Sequence, residues 1–149
     1  VSSLLGLMDK QTYEGEAAMQ LEELALRFFQ ENGWTDFTSY FQEDVLPSIS
    51  THHLMKKIGD DLEQGETKEF IAAKFHYSLT DLIKKMARHL NIQKIAFSGG
   101  VFQNALLNDL ILHYLKEEFE LFFHQQLSPN DENVSFGQMI FYQINKYKG

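Results

Sequence analysis

The sequence contains no cysteine in 149 residues and only two prolines, Pro47 and Pro129. The lack of cysteine excludes a disulfide framework, a thiolate zinc site and a cysteine nucleophile within these residues, and it is typical of a reducing compartment. No linker rich in glycine or serine divides the chain. We therefore expect a cytoplasmic protein with one domain over residues 1–149.

Long apolar runs and an excess of basic residues are also absent. No apolar run approaches the roughly 20 residues that span a bilayer, and the first residues lack the basic flank and apolar stretch of a signal peptide. The chain carries 13 basic and 21 acidic residues, for a formal net charge of −8. Because nucleic-acid backbones are bound by clustered Lys and Arg, we expect neither a membrane nor a nucleic acid as a partner.

Helical periodicity dominates the first ninety residues. Apolar residues recur at spacings of three and four over residues 16–32, 51–64 and 66–90, and Gly33 and Gly65 follow the first two patterns as stop signals. These patterns predict three helices. Aromatic residues among Thr and Ser over residues 34–45 favour one or two short strands.

The remainder of the chain alternates between strand and helix patterns. A short apolar run at residues 92–97 suits a buried strand, and a glycine pair and a helical pattern from Val101 to Leu115 follow it. A second strand at residues 120–124, a polar loop at 128–133 and a helix with Phe136 and Ile144 repeat this order. Parallel strands with helical crossovers place such loops at one sheet edge, where α/β folds bind ligands. We predict a helix-rich α/β fold, with a short sheet, packed helices and converging loops.

Residues 98–104, here called the glycine loop, carry groups that suit a phosphate or a nucleoside. Gly99 and Gly100 let the backbone approach a ligand, and the following helix would offer free N–H groups to an anion. Ser98 adds a hydroxyl and Asn104 an amide. The segment matches neither the G-x-x-x-x-G-K-[ST] phosphate loop nor the G-x-G-x-x-G dinucleotide loop. On this chemistry alone, a tight strand-to-helix connection remains the alternative.

The sequence of residues 96–104, Ala-Phe-Ser-Gly-Gly-Val-Phe-Gln-Asn, resembles the nucleotide loop of the hydrogenase maturation carbamoyltransferases, the HypF family. In the related antibiotic, nodulation and tRNA-modifying proteins the glycine pair is typically followed by Val-Ala, so Phe102-Gln103 selects among these relatives. Residues 13–18, 72–76 and 129–138 resemble three further motifs of the family in the same order. The resemblance therefore spans almost the whole chain.

This resemblance implies the second, C-terminal lobe of an ATPase domain of the actin and sugar-kinase superfamily. The first lobe would lie outside this chain, which opens on an apolar patch at Val1 as an excised piece would, and the isolated lobe would be inactive. The implied enzyme forms carbamoyl adenylate from ATP and carbamoyl phosphate. It then transfers the carbamoyl group to the C-terminal cysteine of a partner protein, HypE, in [NiFe]-hydrogenase maturation.

The resemblance also assigns roles to individual residues. It implies an adenosine and α-phosphate site lined by the glycine loop and a ribose contact at residues 14–16; the nucleotide-binding candidates are Ser98, Gly99, Gly100, Asn104, Glu14 and Gly15. Asp131 would be a ligand of a divalent metal, zinc, iron or magnesium, whose remaining ligands come from the other lobe. The alternative role of Asp131 is that of a turn residue. The catalytic residues remain unknown.

Two departures from the family pattern bear on phosphate handling. Glu132-Asn133 replaces a glycine pair after Asp131, and Asn tolerates left-handed backbone angles whereas Glu does so poorly. The extra carboxylate would strengthen a cation site or repel a triphosphate. Ala105 stands where the family often has a basic residue.

The histidines are interpreted without a metal site. We expect surface positions for four of them, His52, His53, His89 and His113. His76 flanks an apolar stripe and is expected to be a hydrogen-bonded packing residue rather than a base or a ligand. His124 ends a strand near the Asp131 loop, from which it could approach the cleft.

Two other functions stay open at this point. The chain could be a degenerate docking module of the same maturation machinery, without nucleotide turnover, or it could belong to an enzyme that carbamoylates a small molecule. The Phe102-Gln103 pair favours a protein thiol as the acceptor.

Overall fold

The computed structural model describes residues 1–8, 10, 12–41 and 50–146. Its helices are α1 (Glu16–Asn32), α2 (Thr51–Glu63), α3 (Lys68–His89), α4 (Ala105–Leu115) and α5 (Val134–Lys146), and its strands are β1 (Lys94–Ala96) and β2 (Glu120–Phe122). The predicted helix-rich α/β fold is confirmed, as is its order of strand, loop and helix.

The apolar residues that recur at helical spacing in the sequence pack into two clusters. In the first, α1 packs along α3, with Ala25 and Ile71 fully buried between them. In the second, α4 covers the sheet region, where Ile111 and Leu115 are buried beside Phe97. Because successive apolar residues of α4 point to both clusters, this helix joins the α1–α3 pair to the sheet. Full burial of a large apolar side chain such as Ile71, Ile111 or Leu115 stabilises the fold by about 1.5–3 kcal/mol.

Polar side chains fix where three helices begin. Ser50 accepts a hydrogen bond from the His53 amide at the start of α2, and Thr67 accepts one from Phe70 at the start of α3. Asn104 does the same for α4. The predicted helix from Val101 therefore starts later than expected, since a 3-10 turn over Gly100–Gln103 precedes the Asn104 cap.

The two strands are parallel, and the loops that follow them meet. Lys94 lies opposite Glu120 and Ala96 opposite Phe122. Beyond the strands, the amide nitrogen of Gly99 donates to the carbonyl oxygen of Pro129 at 2.6 Å. The predicted convergence of the loops is confirmed. The expectation of a buried first strand is wrong, because Lys94 and Ala96 are exposed and only the Ile95 side turns toward the helices.

The strands predicted over residues 34–45 are absent from residues 34–41; residues 42–45 lie outside the described part of the chain. Side chains satisfy the backbone here in place of a partner strand. The Tyr40 amide donates to Ser78 Oγ at 3.0 Å, and its carbonyl accepts from Lys57 Nζ at 3.0 Å. Lys85 Nζ donates to the carbonyl of Phe41 at 3.3 Å. These hydrogen bonds and the buried rings of Tyr40 and Phe41 hold the segment against α2 and α3 in an irregular conformation rather than as a strand.

Helix α5 leaves its apolar side chains in contact with solvent. None of its residues is buried, and Phe141 is 72% exposed. Within the described residues, no helix is both long enough and apolar enough to cross a membrane.

Candidate functional site

A cavity of about 490 Å³ lies between the first turn of α1, the middle of α3 and the glycine loop. This volume falls in the range typical of small-molecule sites. Most of the wall is apolar, with a few polar groups; its side chains include those of Glu14, Met19, Glu22, Phe75, His76, Val101 and Asn104.

The structure brings four of the predicted nucleotide-binding residues together around this cavity. Glu14 and Gly15 approach from the α1 side, and Gly100 and Asn104 from the glycine loop. These two segments are separated by more than eighty residues in sequence, so the cavity exists only because α1 packs beside α3 and α4.

The other two predicted binding residues do not line the cavity. Ser98 is exposed, and its Oγ lies 3.3 Å from Nε2 of His124. Gly99 is held by its bond to Pro129. His124 thus reaches the loop edge, as the sequence suggested, without reaching the cavity wall.

The two glycines of the loop differ in whether the backbone conformation requires a glycine. Gly99 has φ of 109°, a left-handed conformation that an L side chain rarely adopts. Gly100 has no such angle, and a Cβ built on it would meet no atom within 4 Å. Glycine at position 100 is therefore not required by the backbone angle or by the packing around it.

The backbone near Gly100 also offers free donors. The amides of Gly100 and Val101 open the 3-10 turn, and neither donates to any residue among those described. Both residues border the cavity, so two N–H groups without a protein acceptor among the described residues lie at its edge.

The N-terminus of α4, in contrast, is already capped, which corrects the expectation of free helix N–H groups. Leu107 donates to Oδ1 of Asn104 at 2.7 Å, and Leu106 donates to Oε1 of Glu22 on α1 at 3.1 Å. A carboxylate thus occupies the position that the sequence suggested for a bound anion, and a phosphate would meet like charge there.

His76 connects this cap to α3. It is 3% exposed, with Nδ1 at 2.8 Å from the carbonyl oxygen of Ala72 and Nε2 at 3.2 Å from Nδ2 of Asn104. Burial lowers the pKa of its imidazole, since the charged form would lose hydration. The prediction of a hydrogen-bonded packing histidine is confirmed, and the residue also borders the cavity. The four histidines predicted at the surface, His52, His53, His89 and His113, are exposed.

The turn that carries Glu14 is shaped by two features. Gly15 has φ of 85°, the left-handed conformation that starts α1. Oε2 of Glu16 accepts hydrogen bonds from the amide of Thr12 at 2.6 Å and from its hydroxyl at 2.8 Å. These bonds stabilise the ionised form and lower the pKa of Glu16. They hold the exposed Glu14 at the cavity mouth.

The predicted metal ligand Asp131 lies at an exposed position in a 3-10 turn over Asp131–Asn133. In the described part of the chain, no three His, Asp or Glu side chains are grouped closely enough to hold a metal ion. A metal at Asp131 would therefore need ligands from outside these residues. Glu132 and Asn133 adopt no left-handed angles, so the loss of the two family glycines does not strain this turn.

Sequence reasoning missed Glu22 as a site residue. Glu22 lies within the amphipathic pattern of α1 as one of two adjacent glutamates, and nothing in the sequence distinguishes it from its exposed neighbour Glu23. Its partner is 84 residues away, so only the packed structure reveals the contact.

The fold and the site define a small helix-rich α/β unit with a ligand-sized cavity beside the glycine loop that follows its first strand. Residues 1–138 match the family model described as the second subdomain of the carbamoyltransferase Kae1-like domain. The chain belongs to this carbamoyltransferase family, the HypF family, as its glycine loop had suggested.

Relatives of similar sequence agree with this assignment. The chain is 32% identical over 147 residues to the probable carbamoyltransferase HypF of Methanocaldococcus jannaschii. The matched region covers 95% of this chain and 18% of the relative. The chain is 33% identical over 141 residues to carbamoyltransferase HypF of Synechocystis, with 94% and 18% covered. The chain thus spans less than one fifth of the length of these relatives.

Two crystal structures share the fold. Full-length HypF in a phosphate- and nucleotide-bound form superimposes with a TM-score of 0.73 at 28% identity, over 92% of this chain and 22% of that one. HypF of T. kodakarensis gives a TM-score of 0.69 at 25% identity, over 98% and 20%.

Proposed function

We propose that this chain forms the nucleotide-binding lobe of an ATP-dependent carbamoyltransferase, with ATP in the cavity between the Glu14–Gly15 turn and the glycine loop. The enzyme would use carbamoyl phosphate, pass through carbamoyl adenylate and carbamoylate the C-terminal cysteine of a HypE partner. Family membership supports the reaction class, and a relative of the same fold has been crystallised in a phosphate- and nucleotide-bound form.

The observation that carries the proposal is the chemistry of the cavity wall. Met19, Phe75 and Val101 supply apolar surface on which an adenine ring can pack, while Glu14 at the mouth can accept hydrogen bonds from ribose hydroxyls. Glu14 and Val101 come from the segments that resemble the family's ribose and adenosine contacts, and Phe75 comes from residues 72–76, which resemble a further family motif.

The phosphates would then lie toward the amides of Gly100 and Val101. Those N–H groups have no acceptor among the described residues, whereas the α4 amides of Leu106 and Leu107 are occupied. The protein's contribution would be orientation of the nucleotide and electrostatic stabilisation of charge that develops at the α-phosphate. A divalent metal, when bound, would neutralise phosphate charge, and Asp131 would be one of its ligands.

The lobe would act together with a second lobe supplied by residues outside these 149. The exposed apolar side chains of α5 support this arrangement, because an apolar face of this extent is typical of a surface that packs against another unit.

The proposal is tested by titration calorimetry, in which ATP binding to the complete encoded polypeptide is measured. In Gly100→Ala the added methyl group meets nothing in the unliganded fold, so it should leave folding intact and weaken ATP binding about tenfold by crowding the ligand. Gly59→Ala on α2 is the matched control, since its Cβ also meets open space but lies away from the cavity. Unchanged binding in Gly100→Ala, or no binding in the wild-type protein, would contradict the proposal; the second result would favour a docking module.

A further inference from the structure

The hydrogen bonds between α3 and the start of α4 run in one direction only. The Leu107 amide must donate to Oδ1 of Asn104, because an N–H cannot accept. Nδ2 of the same amide group therefore faces His76 as a donor, at 3.2 Å from Nε2. At the far end, the Ala72 carbonyl can only accept, so Nδ1 of His76 carries the proton.

This chain of donors leaves His76 one possible state, the neutral ring with hydrogen on Nδ1. A proton on Nε2 would set two donors against each other at the Asn104 contact. Rotation of the Asn104 amide would not remove the conflict, because Nδ2 would then face the Leu107 amide. The orientation of Asn104 and the protonation of His76 are thus mutually determined.

We propose that His76 is a positioning residue of the nucleotide site: by accepting from Asn104 it stabilises the amide orientation that the Leu107 amide also requires, and so helps to hold the free edge of Asn104 toward the cavity. The proposal rests on the proposed function, since it concerns the affinity of the same site. Asn104 retains one Nδ2 hydrogen and one lone pair on Oδ1 for a ligand, and the contacts with Leu107 and His76 together hold their order. His76 itself does not react with the nucleotide.

The groups around His76 favour a neutral imidazole ring whose Nε2 accepts a hydrogen bond. Phe75 on the same helix contacts the imidazole edge to face, with ring centroids 5.8 Å apart. Asn104 faces it from the α4 side, and Glu22 on α1 is the one acidic group whose field raises its proton affinity. Burial of the ring is the largest influence and outweighs the Glu22 field, so the pKa of His76 stays below its ordinary value.

The first test is the tautomer, measured by nitrogen NMR of the histidine rings in the wild-type polypeptide as encoded. At neutral pH we expect the His76 signals to show a neutral ring that carries hydrogen on Nδ1 and none on Nε2. An Nε2–H tautomer would overturn the proposal, and this result does not depend on any variant or on nucleotide.

The second test compares ATP affinity in variants by titration calorimetry. His76→Phe keeps a ring but removes the acceptor, and we expect ATP binding about tenfold weaker. His76→Gln, whose Oε1 can accept from Asn104, should restore affinity to within about threefold of the wild type. His89→Gln, at an exposed position on the same helix, should bind as the wild type does.

The outcomes separate this proposal from the proposed function. Wild-type affinity in His76→Phe, or equal losses in His76→Phe and His76→Gln, would overturn the positioning role alone. Failure of the wild-type protein to bind ATP would overturn the proposed function, with the tautomer result unaffected. If His76→Phe does not fold, His76→Leu, which also lacks an acceptor, replaces it, and the tautomer measurement decides without any variant.

Discussion

The carboxylate of Glu22 on α1 accepts a hydrogen bond from the amide of Leu106 in the first turn of α4, with 3.1 Å between Oε1 and the nitrogen. This contact places a negative charge at the positive end of the helix dipole and joins two walls of the cavity. If the proposed nucleotide binds here, the same carboxylate would direct its phosphates away from α4, toward the amides of Gly100 and Val101. One side chain would then contribute both to packing and to the placement of the ligand.

Glu22→Ala should therefore destabilise the fold. Loss of a charged cap at a partly buried helix start lowers the free energy of unfolding by about 1–2 kcal/mol, which urea denaturation will measure. The matched control is Glu23→Ala, whose side chain is 61% exposed in an ion pair with Arg27. Its loss should stay within about 0.5 kcal/mol. Equal losses in the two variants would contradict the capping role.

The two glycines of the loop should respond differently to alanine. Gly99→Ala forces a Cβ onto φ of 109° and should cost about 1–2 kcal/mol of unfolding free energy. Gly100→Ala meets no atom and should leave that free energy unchanged within about 0.5 kcal/mol. Thermal unfolding of the two variants side by side checks this, and a larger loss at Gly100 would show that its role is structural.

Local patterns were sufficient to predict much of this fold. The spacing of Leu54 and Ile58 fixed α2, the longer stripe fixed α3, and the repeated order of strand, loop and helix led correctly to converging loops. Each of these features depends on neighbours in sequence, where helix and turn preferences operate.

The errors share another physical origin, which is contact between distant residues. The rings of Tyr40 and Phe41 suggested strands, but lysines and a serine from α2 and α3 take up the backbone hydrogen bonds of this segment. Likewise, Glu22 fills the helix N-terminus that sequence reasoning assigned to a ligand. No local pattern reports which distant side chain will satisfy a backbone group.

A buried polar cluster should make Asp61 on α2 important for stability. Its carboxylate accepts from the Tyr40 hydroxyl at 2.5 Å and from Lys74 Nζ at 2.8 Å, and the side chains of the ion pair are only 12% and 14% exposed. Asp61→Ala leaves a buried ammonium unpaired and should cost about 3–5 kcal/mol in urea unfolding.

The adjacent residue supplies the control for this prediction. Asp60 precedes Asp61 on α2 but is exposed, so Asp60→Ala should change the unfolding free energy by less than about 0.5 kcal/mol. A small loss in Asp61→Ala would mean that the cluster is hydrated in solution and that its burial adds little.

The pH dependence of stability should carry a contribution from His76. Burial lowers the pKa of its imidazole in the folded protein, so the unfolded chain binds a proton first as the pH falls. The contribution of His76 is therefore fully present above the ordinary histidine pKa, and it is lost as the pH falls from there toward the lowered folded value.

This loss should appear as a difference between wild type and His76→Gln in urea unfolding from pH 7.5 to 5. Within that window the wild type should lose stability more steeply, by up to about 1.4 kcal/mol per pH unit, because one proton is taken up on unfolding. His89→Gln, which removes an exposed histidine, should keep the wild-type slope. Parallel curves for wild type and His76→Gln would mean that the folded protein accepts a proton on His76, and the one-directional hydrogen-bond chain through Asn104 would then be wrong.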